Sequence, residues 1–437
     1  MNHVKPQVLK GFRDYLPDVM GPREAILQTV GSVFRTFGFA PLATPAIEYS
    51  EVILGKYGTE GDQLLYRFLD NGGRDVALRY DLTVPLARVM GQHKQLLKPF
   101  RRYQIAPVWR AEKPGKGRFR EFVQCDVDIV GADSLLADFE CIQVGVAVLQ
   151  ALGVPAFVMR INDRRILDGL MARVGVNTTE MKHEVLRSID KLPKVGWDAV
   201  RHELAAKISF SDEQLSAIHT FLHGDMTDLS EDVVDLDIAG PGLQSLKQLL
   251  GWADDLGIRH ILEVDLSIAR GLDYYTSTIY ETFITSLPAF GSVMSGGRYD
   301  GLLSLFSKEE LPAVGISLGV DRLLAGLQEL GVLPDAGVAP QVFVTVYDAS
   351  VSSYAQRVAQ EIRSQGLRVQ LHLQPGQKFS KQFKAASRCG AEVVVIAGPD
   401  ESAKGCVSLK RLSTGEQLDG VLLDSASNII SDWLQGS

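Results

Sequence analysis

The sequence has 437 residues, of which 46% are apolar, and 45 basic against 53 acidic side chains give it a net charge of −8. This length and apolar content are sufficient for two or three domains with cores of their own. No apolar run approaches the roughly 18 residues that span a bilayer. The start MNHVKPQVLKGF has neither the apolar segment of a signal peptide nor an Arg-rich transit pattern, so we expect a cytoplasmic protein without a membrane partner.

Cysteine spacing and local charge indicate whether the protein binds metal ions or polyanions. The four cysteines, Cys125, Cys141, Cys389 and Cys406, form no CxxC pair, so we expect no zinc and no other metal held by protein ligands. An acidic protein can still bind a polyanion through a local basic patch. Residues 101–121 hold seven basic and two acidic side chains, and they are a candidate for such a patch.

The first 330 residues contain three segments that differ in their predicted secondary structure. Up to residue 163, helical stretches mix with strand-like runs such as DVALRYD and FVQCDVDIV without strict βαβ alternation, which predicts an α+β domain with an antiparallel sheet. Residues 164–256 have helical periodicity and predict a helical insertion. Strand-like sequence returns over 257–330 and predicts that the first domain resumes there.

The last quarter of the chain follows a different pattern. Residues 331–340, with spaced Gly and Pro, predict a linker. Over 341–437 the strand-like runs QVFVTVY, LRVQLHL and AEVVVIAG alternate with helical ones, which predicts an α/β domain of the parallel type.

Two strand-like segments carry polar groups that need partners. In HILEVDLSIAR, alternation places Arg270 on the same face as Leu262, Val264, Leu266 and Ile268, where it would need an anion; alternatively the strand ends and Arg270 reaches solvent. In FVQCDVDIV, Gln124, Asp126 and Asp128 share one face, which is either part of a binding site or an ordinary solvent-facing surface.

Three further segments offer groups for an anionic or zwitterionic ligand. Arg110, Arg118 and Arg120 bracket the loop AEKPGKGRF, which is either a phosphate-binding hairpin or a solvated one. In RYDLTVP, Asp81 and Thr83 could receive an ammonium group, cap a helix, or do both. Arg322, near the predicted start of a helix, could stack on a base or lie at the surface. The glycines of SGGRYDGL match neither a Rossmann nor a P-loop fingerprint.

In order and wording these segments resemble the class II aminoacyl-tRNA synthetases, and specifically the histidyl family, over nearly the whole chain. Pro45 in FAPLATPAIE resembles motif 1, PVWRAEKPGKGRFREF motif 2 and GISLGVDRL motif 3, while LRYDLTVP, QCDVDIVG and RGLDYYT resemble the histidyl-type signatures. The resemblance implies a class II catalytic domain over 1–163 and 257–330, interrupted by the insertion, and an anticodon-binding domain over 341–437.

The resemblance also implies roles for individual residues. The histidine site would comprise Asp81, Leu82, Thr83 and Gln124 at the α-amino end, and Asp128 and Tyr275 at the imidazole, with Tyr274 and Tyr299 nearby. The ATP site would comprise Arg110, Arg118, Arg270 and Arg322, with Arg110 and Arg270 as the catalytic arginines. In many bacterial members Glu stands where this chain has Asp81 and Asp128, and Asp retains the acid function.

The implied reaction is activation of L-histidine with ATP and Mg²⁺, followed by transfer to tRNA(His), in a homodimer. The alternative is a catalytically inactive regulatory subunit of ATP phosphoribosyltransferase, although such regulators typically lack the last domain and the RGLDYYT arginine. A prolyl or threonyl synthetase would lack the Asp128 and Tyr275 pair. In the last domain, Lys378, Lys381, Lys384 and Arg388 at helical spacing could line a tRNA surface or form a solvated helix face.

Overall fold

The structure is a computed structural model that describes residues 4–55, 61–268, 275–306, 309–334 and 337–435. The chain divides into two compact units, Met1–Asp335 and Ala336–Ser437. Each unit has its own sheet. None of the helices in the described ranges is long and apolar enough to cross a bilayer.

The described helices of the first unit are α1 (Pro17–Thr36), α2 (Ser50–Ile53), α3 (Thr83–Gln92), α4 (Leu135–Ala151), α5 (Arg164–Arg173), α6 (Thr179–Asp190), α7 (Leu192–Ile208), α8 (Asp212–His223), α9 (Leu236–Asp255) and α10 (Val320–Leu330). Its strands are β1 (Ala40–Pro41), β2 (Ile47–Tyr49), β3 (Arg67–Leu69), β4 (Asp75–Leu78), β5 (Phe100–Trp109), β6 (Glu121–Val130), β7 (Phe157–Asp163), β8 (Leu262–Val264), β9 (Thr278–Ile284), β10 (Met294–Arg298) and β11 (Ala313–Gly319).

Local sequence explains several helix ends. α1 begins at Pro17, which suits a first turn because its missing N–H has no helical partner there. The side chain of Asp163 accepts a hydrogen bond from the Arg165 amide and caps α5. α10 is terminated by Gly331, the residue after its last one, whose φ of +69° is the left-handed conformation that glycine adopts without strain.

The main sheet of the first unit has eight strands in the order β1-β5-β6-β11-β10-β9-β7-β8. Its two outer pairs, β1 with β5 and β7 with β8, are parallel, and the five pairs between them are antiparallel. α1 and α4 cover one face, where Val123, Cys125, Val127 and Ile129 of β6 enter the main core. The antiparallel sheet predicted from the sequence is confirmed.

A second, three-stranded sheet has the order β2-β4-β3. Tyr49, Val76 and Phe68 stand opposite one another across it. Val76 is buried, whereas Tyr49 and Phe68 are 52% and 43% exposed, as is Ile47 at 47%. This sheet therefore presents an apolar face that the described part of the chain leaves uncovered.

The second unit comprises β12 (Val342–Val344), α11 (Ser352–Ser364), β13 (Val369–Leu371), α12 (Phe379–Arg388), β14 (Val393–Ile396), α13 (Pro399–Lys404), β15 (Cys406–Arg411), β16 (Gln417–Leu422) and α14 (Leu423–Gln435). Its sheet order is β13-β12-β14-β15-β16. The first three strands are parallel, as the α/β rhythm predicts, and the last two add an antiparallel extension that the rhythm does not contain.

The predicted strand HILEVDLSI is wrong in its second half. β8 ends at Val264, and Asp265 turns the chain because its carboxylate accepts hydrogen bonds from the amide and hydroxyl of Ser267. The Ile268 amide then bonds to the Asp265 carbonyl at 3.2 Å. Strand parity therefore cannot be extended to Arg270, which lies outside the described residues together with Tyr274.

The centre of the main sheet should not tolerate a side chain at Gly296. A Cβ there would overlap the Gly315 carbonyl oxygen and lie 2.6 Å from Cε2 of Tyr280. We expect Gly296→Ala to lower the free energy of unfolding by about 1–3 kcal/mol. The matched control is Gly301→Ala, where a Cβ meets nothing within 4 Å. Calorimetric unfolding of both variants checks this, and equal midpoints for the two would contradict it.

Candidate active site

One face of the main sheet carries polar side chains in register across β5, β6 and β11. Arg102 stands opposite Asp128, which stands opposite Gly315, and in the next row Gln104, Asp126 and Ser317 are opposed. Arg102, Gln104, Gln124, Asp126 and Asp128 are each less than 9% exposed. The solvent-facing interpretation of FVQCDVDIV is therefore wrong, because its polar face is as deeply covered as its apolar one.

Asp128 is the best-connected carboxylate of this face. Its Oδ2 lies 2.6 Å from Nη2 of Arg102, and its Oδ1 accepts a hydrogen bond from the Tyr299 hydroxyl. Burial raises the pKa of Asp128, although the Arg102 charge and the Tyr299 hydroxyl oppose the rise. Arg102 also donates to the backbone carbonyl of Leu82 at 3.1 Å and so ties β5 to the start of α3.

Two glycines make room for the Asp128 carboxylate and for the ring of Tyr275. A Cβ on Gly315 would overlap the Asp128 carboxylate, so this position requires glycine. Gly297, opposite Gly315 on β10, lies beneath the ring of Tyr275, whose Cδ1 would be 2.9 Å from a Cβ there. Asp128 and Tyr275 therefore lie over two glycines that are opposite each other on neighbouring strands.

Gln124 contributes an acceptor that lacks a donor. Its Nε2 donates to the Ser317 hydroxyl at 2.6 Å and more weakly to Oδ1 of Asp126 at 3.4 Å. Its Oε1 is buried and has no hydrogen-bond partner in the described ranges. Because a buried acceptor without a donor is costly, a ligand with N–H groups is the expected complement.

Asp81 caps a helix, which is one of the two functions that its sequence context allows. Its Oδ1 accepts from the amides of Thr83 and Val84 at 3.2 and 3.0 Å and so caps α3. Its charge also helps to raise the pKa of Asp126 and of Asp128, although burial is the main cause in both. Asp81, Leu82 and Thr83 therefore lie at the same end of the face as Asp128.

The opposite end of the face is basic. Nε of Arg110 donates to the Tyr80 carbonyl at 3.0 Å, and its guanidinium lies 4.3 Å from the Tyr80 ring and 5.2 Å from the Phe122 ring. Tyr80 precedes Asp81 in sequence, and Phe122 lies two residues before Gln124 on the same strand face. Arg110 is thus linked to the carboxylate end through residues that are close in sequence to Asp81 and Gln124.

Two other predicted arginines that lie within the described ranges are near the loop that follows β5. Arg118 closes a hairpin with Gly115 through reciprocal backbone hydrogen bonds of 3.1 and 3.0 Å, and its side chain is half-exposed, 3.5 Å from Glu112. Arg322 lies in the first turn of α10, where Nη1 donates to the Ser292 carbonyl at 2.5 Å. Its Cγ would be 3.4 Å from a Cβ on Gly117 at the hairpin tip.

Asp321, which the sequence did not single out, anchors this end. It accepts hydrogen bonds from Arg13, Tyr15, Arg23 and the amide of Val123. Burial alone would raise its pKa, but the contacts with Arg23, Tyr15 and the Val123 amide together outweigh burial and lower it. The network fixes the N-terminal segment, α1 and β6 to the start of α10, next to Arg322.

The basic patch predicted over residues 101–121 is only partly at the surface. Arg102 is fully buried, and Arg101 is paired with Glu140 and the Phe37 carbonyl. Their partners are distant in sequence, so the local charge count included two side chains that the fold uses internally. The exposed part of the patch is the hairpin from Lys113 to Arg118.

The face therefore has a carboxylate end and an arginine end. Buried carboxylates, the Gln124 carbonyl and tyrosine hydroxyls suit a ligand with N–H donors and positive charge. Arginines at the rim suit carboxylate or phosphate oxygens. A small zwitterion beside a phosphate-bearing group would match both ends.

The comparisons with known proteins cover both units. The family profile described as "Histidyl-tRNA synthetase" matches residues 11–323, and the one described as "Anticodon binding domain" matches residues 341–433. A protein of Rhodopirellula baltica named histidine–tRNA ligase is 45% identical over 99% of both chains. One of the same name from Wolinella succinogenes is 40% identical over 98% of both. The crystal structure of histidyl-tRNA synthetase from Nostoc sp. aligns with a TM-score of 0.85 at 33% identity, over 99% of this chain and 100% of that one.

The Arg102–Asp128 pair should behave as a unit. Arg102→Met and Asp128→Asn each leave a buried group without its partner, and each is expected to lower the free energy of unfolding by about 3–5 kcal/mol. The double variant should lose clearly less than the sum of the two. Denaturant unfolding of the four proteins gives the coupling, and additive losses would show that the two side chains do not interact.

Proposed function

Because this chain belongs to the histidyl-tRNA synthetase family, we propose that the polar face of its main sheet activates L-histidine with ATP and delivers it to tRNA(His). The protein is an aminoacyl-tRNA ligase, as the family match and full-length relatives named histidine–tRNA ligase establish. The regulatory-subunit alternative is less supported, since those relatives cover the last unit as well as the catalytic one.

The observation that carries the site assignment is the buried row on β6. The α-ammonium group of histidine would donate to Asp81, Thr83 and the unpartnered Oε1 of Gln124. The imidazole would lie beside Asp128 and Tyr275, which offer complementary partners for its two nitrogens. Tyr299 would hold the Asp128 carboxylate, and Tyr274 would lie nearby.

The arginine end would receive ATP. Arg110 would contact the α-phosphate and the carboxylate of histidine, Arg118 the outer phosphates, and Arg322 the adenine ring. Arg270 would stabilise the charge that develops on the α-phosphate. The carboxylate of histidine would attack this phosphorus in line and pyrophosphate would leave, so that positioning and charge stabilisation suffice without a nucleophile from the protein.

Magnesium is proposed only as an ion that enters with the phosphates of ATP. Within the described ranges no group of three or more His, Cys, Asp or Glu side chains has the arrangement of a protein-held metal site. Glu112, the acid nearest to the arginines, lies 3.9 Å from Arg110 and 3.5 Å from Arg118. No step above depends on a metal ligand from the chain.

The second unit is proposed to bind the anticodon arm. Lys378, Lys381, Lys384 and Arg388 are exposed on or beside α12 and could contact the tRNA backbone. We also propose that the enzyme works in the cytoplasm as a homodimer. The exposed apolar face of β2 and β3, which follows directly on Pro45, supports the dimer.

The activation step is tested by ATP–pyrophosphate exchange. We expect exchange that depends on histidine, and we expect Arg270→Ala to reduce it by at least a hundredfold while histidine binding is retained, because this arginine would act on the transition state. Arg187→Ala, an exposed arginine paired only with Glu184 in the described contacts, is the control. Absence of exchange with folded wild-type protein would overturn the proposed function, and loss of histidine binding in Arg270→Ala would overturn that residue's role.

The dimer is tested by sedimentation velocity. Ile47→Asp places a charge on the exposed apolar face of β2, and we expect it to shift the protein from dimer to monomer. Leu256→Asp, at an apolar position 53% exposed after α9, should leave the dimer intact. A monomeric wild-type protein, or equal behaviour of both variants, would contradict the assignment of this face.

A further inference from the structure

We propose that Asp126 is a positioning residue of the amino-acid site, where its carboxylate orients the Gln124 amide so that Oε1 faces the α-ammonium group of the substrate. This inference rests on the proposed function, since it takes histidine as the ligand of the polar face. None of the roles implied by the family resemblance falls on Asp126.

The contacts of Gln124 define what Asp126 does. An amide can be turned either way unless its neighbours distinguish the oxygen from the nitrogen. Here Nε2 faces the Ser317 hydroxyl at 2.6 Å and Oδ1 of Asp126 at 3.4 Å, and the ionised form of Asp126 can only accept. Asp126 therefore selects the orientation that leaves Oε1 buried and unpartnered, ready for an N–H donor.

The neighbouring side chains on β5 have partners other than Asp126. On β5, Gln104 stands opposite Asp126 but donates to Thr44 at 3.0 Å, and Arg102 is paired with Asp128. β11 contributes Ser317 and no charged side chain. The charged groups that act on Asp126 in the described ranges are thus Arg102, Asp128 and Asp81.

The charges around Asp126 make its protonation depend on whether histidine is bound. Three carboxylates share one guanidinium, and burial, reinforced by Asp128 and Asp81 against the opposing Arg102, raises the pKa of Asp126 to about 7. At pH 7 roughly half of the free enzyme would then carry a proton on Asp126. An arriving ammonium favours the ionised form, so binding releases the proton, and histidine affinity increases as the pH rises through 7.

Isothermal titration of the full-length enzyme with histidine at pH 7, in phosphate and in Tris buffer, measures this proton release. We expect wild type to release about half a proton more per histidine than Asp126→Asn, because the substrate's own titrations contribute equally to both. The variant should also raise KM for histidine on the order of tenfold, with KM for ATP unchanged. Equal proton release by the two proteins would overturn the inference.

A matched control separates positioning from stability. Asp138 is likewise a buried aspartate, paired with Arg298 between α4 and β10 and outside the polar face. Asp138→Asn should lower the unfolding midpoint and leave proton release as in wild type. If Asp138→Asn changed proton release as much as Asp126→Asn does, the change in both variants would be attributed to lost stability, and the positioning role of Asp126 would be refuted.

Ser317→Ala covers the case in which Asp126→Asn fails to fold. It keeps the carboxylate and removes the hydroxyl that Gln124 also contacts. We expect a higher KM for histidine with proton release retained, and an unchanged KM would refute the orienting network. Pyrophosphate exchange distinguishes failure of the proposed function from failure of this inference. If wild type shows no exchange, the proposed function is refuted. If wild type exchanges and Asp126→Asn behaves like it, only the role of Asp126 is refuted.

Discussion

A carboxylate buried at the centre of a sheet must be compensated by its neighbours, and Asp128 imposes that requirement on three other strands. Arg102 has to be opposite it on β5, a glycine has to be opposite it on β11, and Tyr299 has to follow β10 directly. Arg102 in turn holds the carbonyl of Leu82 and with it the start of α3. The polar residues around Asp128 thus follow from the need to compensate one buried charge.

The sequence predicted this face through strand periodicity, which needs only local information. Alternation in FVQCDVDIV correctly separated a core face from a polar one and placed Gln124 and Asp128 on the same side. It could not decide whether that side meets solvent, because the answer depends on β5 and β11, which come from distant parts of the chain. Arg102 was missed for the same reason, since a basic residue in a basic stretch predicts a surface.

The failure at HILEVDLSI has a different origin. Alternating burial continues through Leu266 and Ile268, so the pattern is typical of a strand, but the Asp265 carboxylate satisfies the backbone locally and turns the chain. A side chain that bonds to its own backbone competes with the sheet, and periodicity does not register this competition. Asp321 was missed because its partners Arg13, Tyr15 and Arg23 come from the far end of the chain.

The two ends of the polar face are held at a fixed separation because Arg110 contacts residues that are close in sequence to Asp81 and Gln124. Arg110 binds the carbonyl of Tyr80, the residue before Asp81, and lies over Phe122, two residues before Gln124. The groups proposed for the ammonium and those proposed for the phosphate therefore sit on the same two chain segments, and the backbone largely sets their separation. If catalysis is mainly positioning, as the proposed reaction requires, this rigidity is its physical basis. Asp126 then acts within the rigid frame, since it adjusts the orientation of a single amide and leaves the strands where they are.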